Sequence, residues 1–133
     1  KQIQIHRLEE TVRFVPSTKN IYAYYQAMDI FFLSSREDPF PLASLEAAQA
    51  GLPVICFNHA GGGDELVDDS LGFVVDFEDI NAVSDRIHLL ASDHDLKHKL
   101  SQGALERIKS FDIQNSASSI YDFVTAIKSH KDH

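Results

Sequence analysis

The chain of 133 residues has little of several features that would identify its class directly. It has one cysteine and no tryptophan, and its 12 basic residues stand against 20 acidic ones, a formal net charge of −8. A single cysteine excludes an intramolecular disulfide and is typical of a reducing compartment. The acidic balance offers no basic surface to nucleic acid or to anionic membranes. These absences predict an intracellular protein that binds neither.

Long hydrophobic runs are also missing. No apolar segment approaches the roughly 20 residues that a membrane-spanning helix needs, and no signal-peptide pattern opens the sequence. With 44% hydrophobic residues, the chain has enough apolar material for one core and not comfortably for two. We therefore expect residues 1–133 to form a single domain.

Strand patterns alternate with helical patterns over the first half of the chain. The helical spacing of apolar residues over KNIYAYYQAM, residues 19–28, predicts a helix, whereas the opening QIQIH fits a strand or a helix equally well. Alternating elements favour an α/β fold with a parallel sheet. The predicted strands are Val12–Val15, Ile30–Leu33, Val54–Phe57 and Gly72–Val75.

The last third of the chain has helical patterns throughout. Ser92 with Asp95 resembles a capping box, and Asp112 is a predicted N-cap for the final helix. Gly103 should cost its helix about 1 kcal/mol relative to alanine. The predicted apolar faces are Val83, Ile87 and Leu90; Leu96, Leu100, Ala104, Ile108 and Phe111; and Ile113, Ala117, Ile120, Val124 and Ile127.

The stretch SSREDPFPLASLEAAQAGLPVI joins two predicted strands through a sharply bounded helix. Proline suits the first position of a helix, which predicts a helix over Pro41–Ala50 with Leu42 and Leu45 facing inward. Gly51 can take the left-handed conformation that ends a helix, and Pro53 prevents the helix from continuing.

This helix would begin at the carboxyl edge of the sheet, where open α/β sheets bind ligands. The unpaired N–H groups of Leu42 and Ala43 suit a phosphate. Glu46, one turn into the helix, can accept two ribose hydroxyls, and Asp38 can reach the hydroxyls of another sugar. This set of groups describes a sugar-nucleotide site. The alternative is that the acidic residues, Glu37 among them, only complement the helix dipole.

The same residues resemble the Glu-x7-Glu region of retaining glycosyltransferases with the GT-B architecture, specifically glycosyltransferase family 4, or glycosyl transferases group 1. The family's usual form is Ser-x-x-Glu-Gly-Phe-Gly-Leu, three residues and Glu-Ala. The segments VRFV, YAYYQAMDIFFLSS and AGGGDEL also resemble the family, over about Val12 to Phe111. The positions that match the motif are Ser35, Asp38, Phe40, Leu42, Glu46 and Ala47.

The resemblance implies a Rossmann-like, doubly wound parallel sheet and a glycosyl transfer from a sugar nucleotide with retention at the anomeric carbon. The acceptor would be a glycan or a lipid-linked molecule in polysaccharide or glycoconjugate biosynthesis. The implied catalytic residues are Asp38, on the donor sugar, and Glu46, on the ribose. No metal and no cofactor is expected, and the substrate is a UDP-, GDP- or ADP-sugar. The other implied donor-binding residues are Ser35, Phe40, Pro41, Leu42 and Ala43, with Val15 and Pro16 near the base.

Four positions depart from the family pattern. Asp38 stands where the family usually has glutamate, so its carboxylate reaches one methylene less far. Pro39 and Pro41 replace two glycines, which stiffens the loop and removes two N–H donors. Pro16 replaces a glycine in the segment that tends to lie near the base. These departures bear on the donor's identity more than on the family.

The resemblance also implies that the chain is the incomplete second, donor-binding domain of a longer enzyme. The acceptor-binding first domain has no counterpart here, nor do the two opening strands of the second domain with the arginine and lysine that grip the diphosphate. We expect the amino-terminal segment to pair abnormally, with another copy as its candidate partner, and the chain alone to bind donor weakly and to be inactive. Arg36 is a candidate replacement cation, although a solvated surface arginine is the simpler interpretation. A cytoplasmic enzyme is expected, with any peripheral membrane contact made through the absent domain.

Other candidate residues have simple structural interpretations. Gly61–Gly63 is predicted to form a turn, with Glu65 accepting hydrogen bonds from the local backbone and His59 in the loop. Tyr22, Tyr24 and Tyr25 are predicted to pack at the core and its rim. The seven histidines are scattered along the sequence and form no metal-ligand cluster.

Two alternative functions stay open from the sequence. Sugar-nucleotide 2-epimerases share the architecture, and an epimerase would interconvert donors without releasing nucleotide to an acceptor. A non-catalytic nucleotide-binding domain is the second alternative, and it predicts that Glu46→Ala leaves function untouched.

Overall fold

The computed structural model describes residues 1–111, 117–118, 121–122 and 125. Within these residues, three strands alternate with six helices, and a 3₁₀ turn ends the last helix. The strands are β1 (Phe31–Leu33), β2 (Val54–Phe57) and β3 (Gly72–Val75). The helices are α1 (Gln2–Ile5), α2 (Ile21–Ala27), α3 (Leu42–Gln49), α4 (Gly63–Leu66), α5 (Ile80–Ser92) and α6 (His94–Arg107), and the 3₁₀ turn is Ile108–Phe111.

The three strands form one parallel sheet in the order β1-β2-β3. Phe31 pairs with Val54, and Val54 pairs in turn with Gly72. All four residues of the central strand β2 are buried, as expected for a strand covered on both faces. The predicted α/β fold with a parallel sheet is confirmed, as are three of the four predicted strands.

Alternate side chains of β2 enter two separate cores because successive residues of a strand point to opposite faces. Val54 and Cys56 pack with Ala47 and Ala48 of α3 on one face. Ile55 and Phe57 lie in the second core, whose other buried members are Ala60, Val75, Val83, Leu90 and Leu100. The sheet is therefore covered on one face by α3 and on the other by α5, which gives the Rossmann-like layering.

The predicted strand Val12–Val15 is wrong. These residues are irregular, and the side chain of Phe14 is 87% exposed and that of Val15 50% exposed. A β-branched and aromatic run forms a strand only where a neighbouring strand offers its backbone, and the described sheet pairs β1 with β2 alone. The ambiguous opening of the sequence is the short helix α1, whose Ile5 is exposed.

The helix α3 begins one residue later than predicted and presents a different face. Pro41 is its N-cap, in extended conformation, rather than its first helical residue. Leu42 does not face inward as expected: its side chain is 68% exposed, while Leu45 is half-buried. The buried face consists of Ser44, Ala47 and Ala48. Small side chains on that face let α3 approach the sheet closely, which leaves Leu42 on the opposite side. At the other end, Gly51 has a φ of 78°, as its predicted role requires.

The boundary between α5 and α6 is set by Asp93 rather than by the predicted capping box. The Asp93 side chain accepts a hydrogen bond from the Leu96 N–H at 2.9 Å. The Ser92 hydroxyl instead donates back to the carbonyl of His88. The predicted N-cap Asp112 lies outside the described residues. So do four members of the last predicted apolar face; the fifth, Ala117, has helical backbone and is exposed.

Two apolar faces of the helical third largely match the prediction. Val83 and Leu90 of α5 are buried, whereas Ile87 is 39% exposed. Leu100 and Ala104 of α6 are buried as well. In the described part of the chain, every helix is too short or too polar to cross a membrane.

Gly103 lies in α6 because the helix touches the loop before β3 at this point. A Cβ atom at Gly103 would stand 1.7 Å from the carbonyl oxygen of Ser70. The cost expected from helix propensity is therefore offset by a close backbone approach that any side chain would prevent.

We predict that Gly103→Ala lowers the free energy of unfolding by about 1 to 3 kcal/mol, since α6 or the Ser70 loop must move to admit the methyl group. Helix propensity alone would predict a gain of about 1 kcal/mol. Urea unfolding followed by circular dichroism measures the change. The exposed neighbour Gln102→Ala is the control and should change stability by less than about 0.5 kcal/mol. A Gly103→Ala protein more stable than the parent would contradict the close approach.

A second prediction concerns the only thiol. Burial, and secondarily the charge of Asp64, raises the pKa of Cys56 from 9.0 to about 11. At pH 8 the thiolate fraction is then about 100-fold below that of an ordinary cysteine, so a disulfide reagent should label the native protein at least 100-fold more slowly than the urea-unfolded protein. Labelling at equal rates in the two states would show that the core around β2 is open.

Candidate functional site

The loops that follow β1 and β2 meet at the carboxyl edge of the sheet. The Asp38 N–H donates to the carbonyl of Ala60 at 3.0 Å, and the Gly62 N–H donates to the carbonyl of Asp38 at 2.8 Å. Asp38 and Gly61 thus form an isolated parallel bridge beyond the end of the sheet. The backbone of Asp38, the first carboxylate of the motif, is held by the glycine loop.

The glycine loop makes this contact because it lacks side chains. Gly61 has a φ of 119°, and a Cβ atom there would lie 1.9 Å from the Asp38 carbonyl oxygen. A Cβ atom at Gly62 would lie 2.4 Å from the carbonyl oxygen of Pro39. Gly61 and Gly62 form the predicted turn, whereas Gly63 begins α4. The turn also packs against the loop that carries Asp38.

The amino end of α3 presents unpaired N–H groups to solvent. The N-cap Pro41 provides no side-chain acceptor, and the first intrahelical bonds begin at the Ser44 N–H. Among the described residues, the N–H groups of Phe40, Leu42 and Ala43 have no hydrogen-bond partner. Since the two flanking prolines have no N–H, these three groups are the donors that this turn can offer to an anion.

Glu46 lies on the same exposed side of α3 as Leu42. Its carboxylate oxygen Oε2 accepts a hydrogen bond from the Tyr25 hydroxyl at 3.1 Å. The side chain also lines an open cleft of about 480 Å³. One wall of this cleft is Leu42, Leu45, Glu46 and Gln49 of α3, and the other is Ile108, Lys109 and Phe111.

The other predicted site residues lie in the loop after β1, at the start of α3 and in the segment before α2. Ser35 and Asp38 are half-buried in the loop after β1. The exposed ring of Phe40 packs on Phe111, with 6.0 Å between the ring centroids. Val15 and Pro16 are exposed in the irregular segment before α2 and do not line the cleft. Of the predicted donor-binding residues, Leu42 and Glu46 line the cleft, whereas Ser35, Asp38, Pro41 and Ala43 lie outside its lining.

The remaining candidates are structural. Arg36 is a surface arginine, as expected, and pairs with Glu78 at 2.9 Å. The prediction for Glu65 is wrong: its side chain is exposed, and it is Asp64 that accepts from the His59 N–H, at 3.3 Å. In residues 1–111 and the described positions after them, no group of three His, Cys, Asp or Glu side chains is arranged to hold a metal.

Two parts of the site were not predicted from the sequence. The contact between Tyr25 and Glu46 joins residues 21 positions apart, and the second wall of the cleft comes from the 3₁₀ turn that follows α6. The only available signal was that Tyr25 lies on the predicted inward face of α2, where a buried phenol needs a partner for its hydroxyl.

Comparison with known proteins identifies the family. The family described as glycosyl transferases group 1 matches residues 1–107, so the chain belongs to it. The amylovoran biosynthesis glycosyltransferase AmsD of Erwinia amylovora is 28% identical over 78% of this chain and 29% of its own length. The lipopolysaccharide core biosynthesis mannosyltransferase LpsB of Rhizobium meliloti is 30% identical over 85% of this chain and 33% of its own.

Solved structures show the same fold. Sucrose-phosphate synthase of Thermosynechococcus elongatus superposes over 97% of this chain and 33% of its own, with a TM-score of 0.81 and 25% identity. HepE of Anabaena in complex with UDP gives a TM-score of 0.85 over 94% of this chain and 35% of its own, at 24% identity. The chain thus spans about a third of the length of these relatives.

We predict that Gly61→Ala breaks the bridge between the two loops. The new Cβ would overlap the Asp38 carbonyl oxygen, and alanine is strained at the φ of Gly61, so we expect a loss of about 2 kcal/mol or more in unfolding free energy. Amide hydrogen exchange should become faster at Asp38 and Gly62 in particular.

Gly63→Ala is the matched control, because a Cβ there would make ordinary contacts with Leu33 at 3.4 Å and Cys56 at 3.5 Å. It should leave the exchange of both amides unchanged. Unchanged exchange in Gly61→Ala would show that the bridge does not hold the Asp38 loop.

Proposed function

We propose that this chain is the donor-binding part of a retaining glycosyltransferase that transfers a glycosyl group from a sugar nucleotide to a glycan or lipid-linked acceptor. The observation that carries the proposal is the amino end of α3. There, three unpaired N–H groups lie at the start of the helix, and the exposed carboxylate of Glu46 lies one turn further along, within the family's motif. Donors for a diphosphate and an acceptor for a diol are the two groups that a nucleoside diphosphate requires.

The N–H groups of Phe40, Leu42 and Ala43 bind the diphosphate and stabilise the negative charge that develops as it leaves. Glu46 accepts the ribose hydroxyls, each such bond to a charged group contributing about 1.5 to 3 kcal/mol. Asp38 accepts hydroxyls of the donor sugar from the half-buried loop before α3, and Ser35 of the same loop is a further donor-binding residue. In this scheme backbone N–H groups donate to the diphosphate and carboxylates accept from the sugar hydroxyls, and it uses no metal ion.

The names of the relatives support the acceptor class. AmsD is named for amylovoran biosynthesis and LpsB for the lipopolysaccharide core. A Campylobacter jejuni relative, 27% identical over 79% of this chain, is an N-acetylgalactosaminyltransferase named for a diphospho-undecaprenol acceptor. HepE has been solved with UDP and with UDP-glucose. A sugar nucleotide as donor and a polysaccharide or lipid-linked glycan as acceptor fit all of these names.

The departures at the motif belong to the same proposal. Pro39 and Pro41 fix the loop conformation and limit the donors to three N–H groups. The acceptor would be bound by a further domain of the longer enzyme, which we place in the cytoplasm with any membrane contact made through that domain. Residues 1–133 alone would bind the donor weakly and would not transfer the sugar.

The test is binding of UDP-, GDP- and ADP-sugars, measured by ligand-detected NMR and titration calorimetry. One nucleotide should bind, and Glu46→Ala should weaken it at least about tenfold, since two bonds to a charged group are lost. The control is Glu37→Ala, which removes an exposed carboxylate from the preceding loop and should leave the affinity unchanged.

Equal affinity of the parent chain and Glu46→Ala for the nucleotide would show that Glu46 does not bind the ribose. If no nucleotide binds, the same panel on the full-length protein decides. Failure there as well would mean that the family fold is present without donor binding.

A further inference from the structure

We propose that Tyr25 is a positioning residue of the donor site, whose hydroxyl holds the Glu46 carboxylate in the orientation that accepts the ribose diol. The inference rests on the proposed function, because it gives a task to the partner of a residue already assigned to the nucleotide. It concerns a contact between α2 and α3 that joins Tyr25, in the segment YAYYQAMDIFFLSS, to Glu46 of the motif.

Tyr25 is the only buried residue of α2. Its side chain is 4% exposed, and its ring meets Phe31 of β1 edge to face, with 5.9 Å between the centroids. Tyr22 and Tyr24, on the same helix, are 47% and 40% exposed. The core therefore fixes the ring of Tyr25, and the position of the ring determines which group of α3 its hydroxyl can reach.

The hydroxyl donates to Oε2 of Glu46, which is 3.1 Å away. An exposed glutamate on a helix samples several rotamers, and fixing it at the moment of binding costs conformational entropy. A hydrogen bond from a rigid donor fixes the carboxylate beforehand, which reduces that cost. In this chain the rigid donor is the core residue Tyr25, and the carboxylate that it fixes is that of Glu46, which lines the cleft.

The contact leaves the carboxylate enough capacity for a ligand. An ionised carboxylate offers about four lone-pair sites, and Tyr25 uses one of those on Oε2. Among the described residues, no group donates to Oε1. Both oxygens can still accept a hydroxyl from a vicinal diol, so the tyrosine orients the acceptor without saturating it.

The phenol remains a donor at all physiological pH values. Burial, and then the hydrogen bond and charge of Glu46, raise the pKa of Tyr25 above 10.0. The proton therefore stays on the phenol oxygen, and the carboxylate accepts. Of the groups that face this hydroxyl, Glu46 from α3 is the one titratable partner among the described contacts.

The test uses the one of UDP, GDP and ADP that binds tightest, together with its 2′,3′-dideoxy analogue. Tyr25→Phe keeps the ring in the core and removes only the hydroxyl, so it should weaken the ribonucleotide about tenfold. It should leave the affinity for the dideoxy analogue unchanged, which a general loss of structure would not do. Tyr24→Phe makes the same chemical change at an exposed position and should alter neither affinity.

A double-mutant cycle with Glu46→Ala completes the experiment. If Tyr25 acts through Glu46, then Tyr25→Phe has no further effect on ribonucleotide binding once Glu46 is alanine. An additive loss in the double mutant, or unchanged ribonucleotide affinity in Tyr25→Phe while Glu46→Ala binds weakly, overturns the positioning role alone. Unchanged affinity in Glu46→Ala overturns the ribose role and the inference together, as does the absence of binding by any nucleotide in the full-length protein.

Discussion

The buried central strand β2 is the constraint on which the rest of the structure depends. Both of its edges are paired and both of its faces are covered, so all four of its residues are buried. Its alternating side chains give α3 and α5 their two separate cores. The loop that leaves β2 then holds Asp38 in place, and the helix α3 that precedes β2 carries the free N–H groups. The candidate site is assembled around the carboxyl end of this strand.

Three glycines join the layers through direct backbone contact. Gly61 touches Asp38, Gly72 touches Val54, and Gly103 touches Ser70, each so closely that a Cβ atom would stand within 2 Å of a carbonyl oxygen. These positions link the site loop, the sheet and α6. For Gly72 and Gly103 the useful property is the missing side chain rather than an unusual backbone conformation, which is why helix propensity misjudged Gly103.

The sequence predicted the parts of the fold that depend on local pattern. Buried strands such as Val54–Phe57 and the punctuated helix before them are recognisable because apolar runs, prolines and Gly51 act within a few residues. It misjudged Val12–Val15, because a strand also needs a partner that propensity does not reveal. It misjudged Leu42, because the small residues Ser44, Ala47 and Ala48 form the buried face. In the site, motif spacing indicated Glu46, whereas the contact from Tyr25 depends on how α2 packs against α3.

The hydrogen bond between Tyr25 and Glu46 has an optical consequence. The chain has four tyrosines and no tryptophan, so tyrosine dominates its intrinsic fluorescence and its absorption at the long-wavelength end of the near ultraviolet. Tyr22, Tyr24 and Tyr121 are exposed, and only Tyr25 is both buried and bonded to a carboxylate. One of the four tyrosine chromophores is thus hydrogen-bonded to the candidate site. The absorption and fluorescence of Tyr25 should therefore respond to a change at Glu46 without any added label.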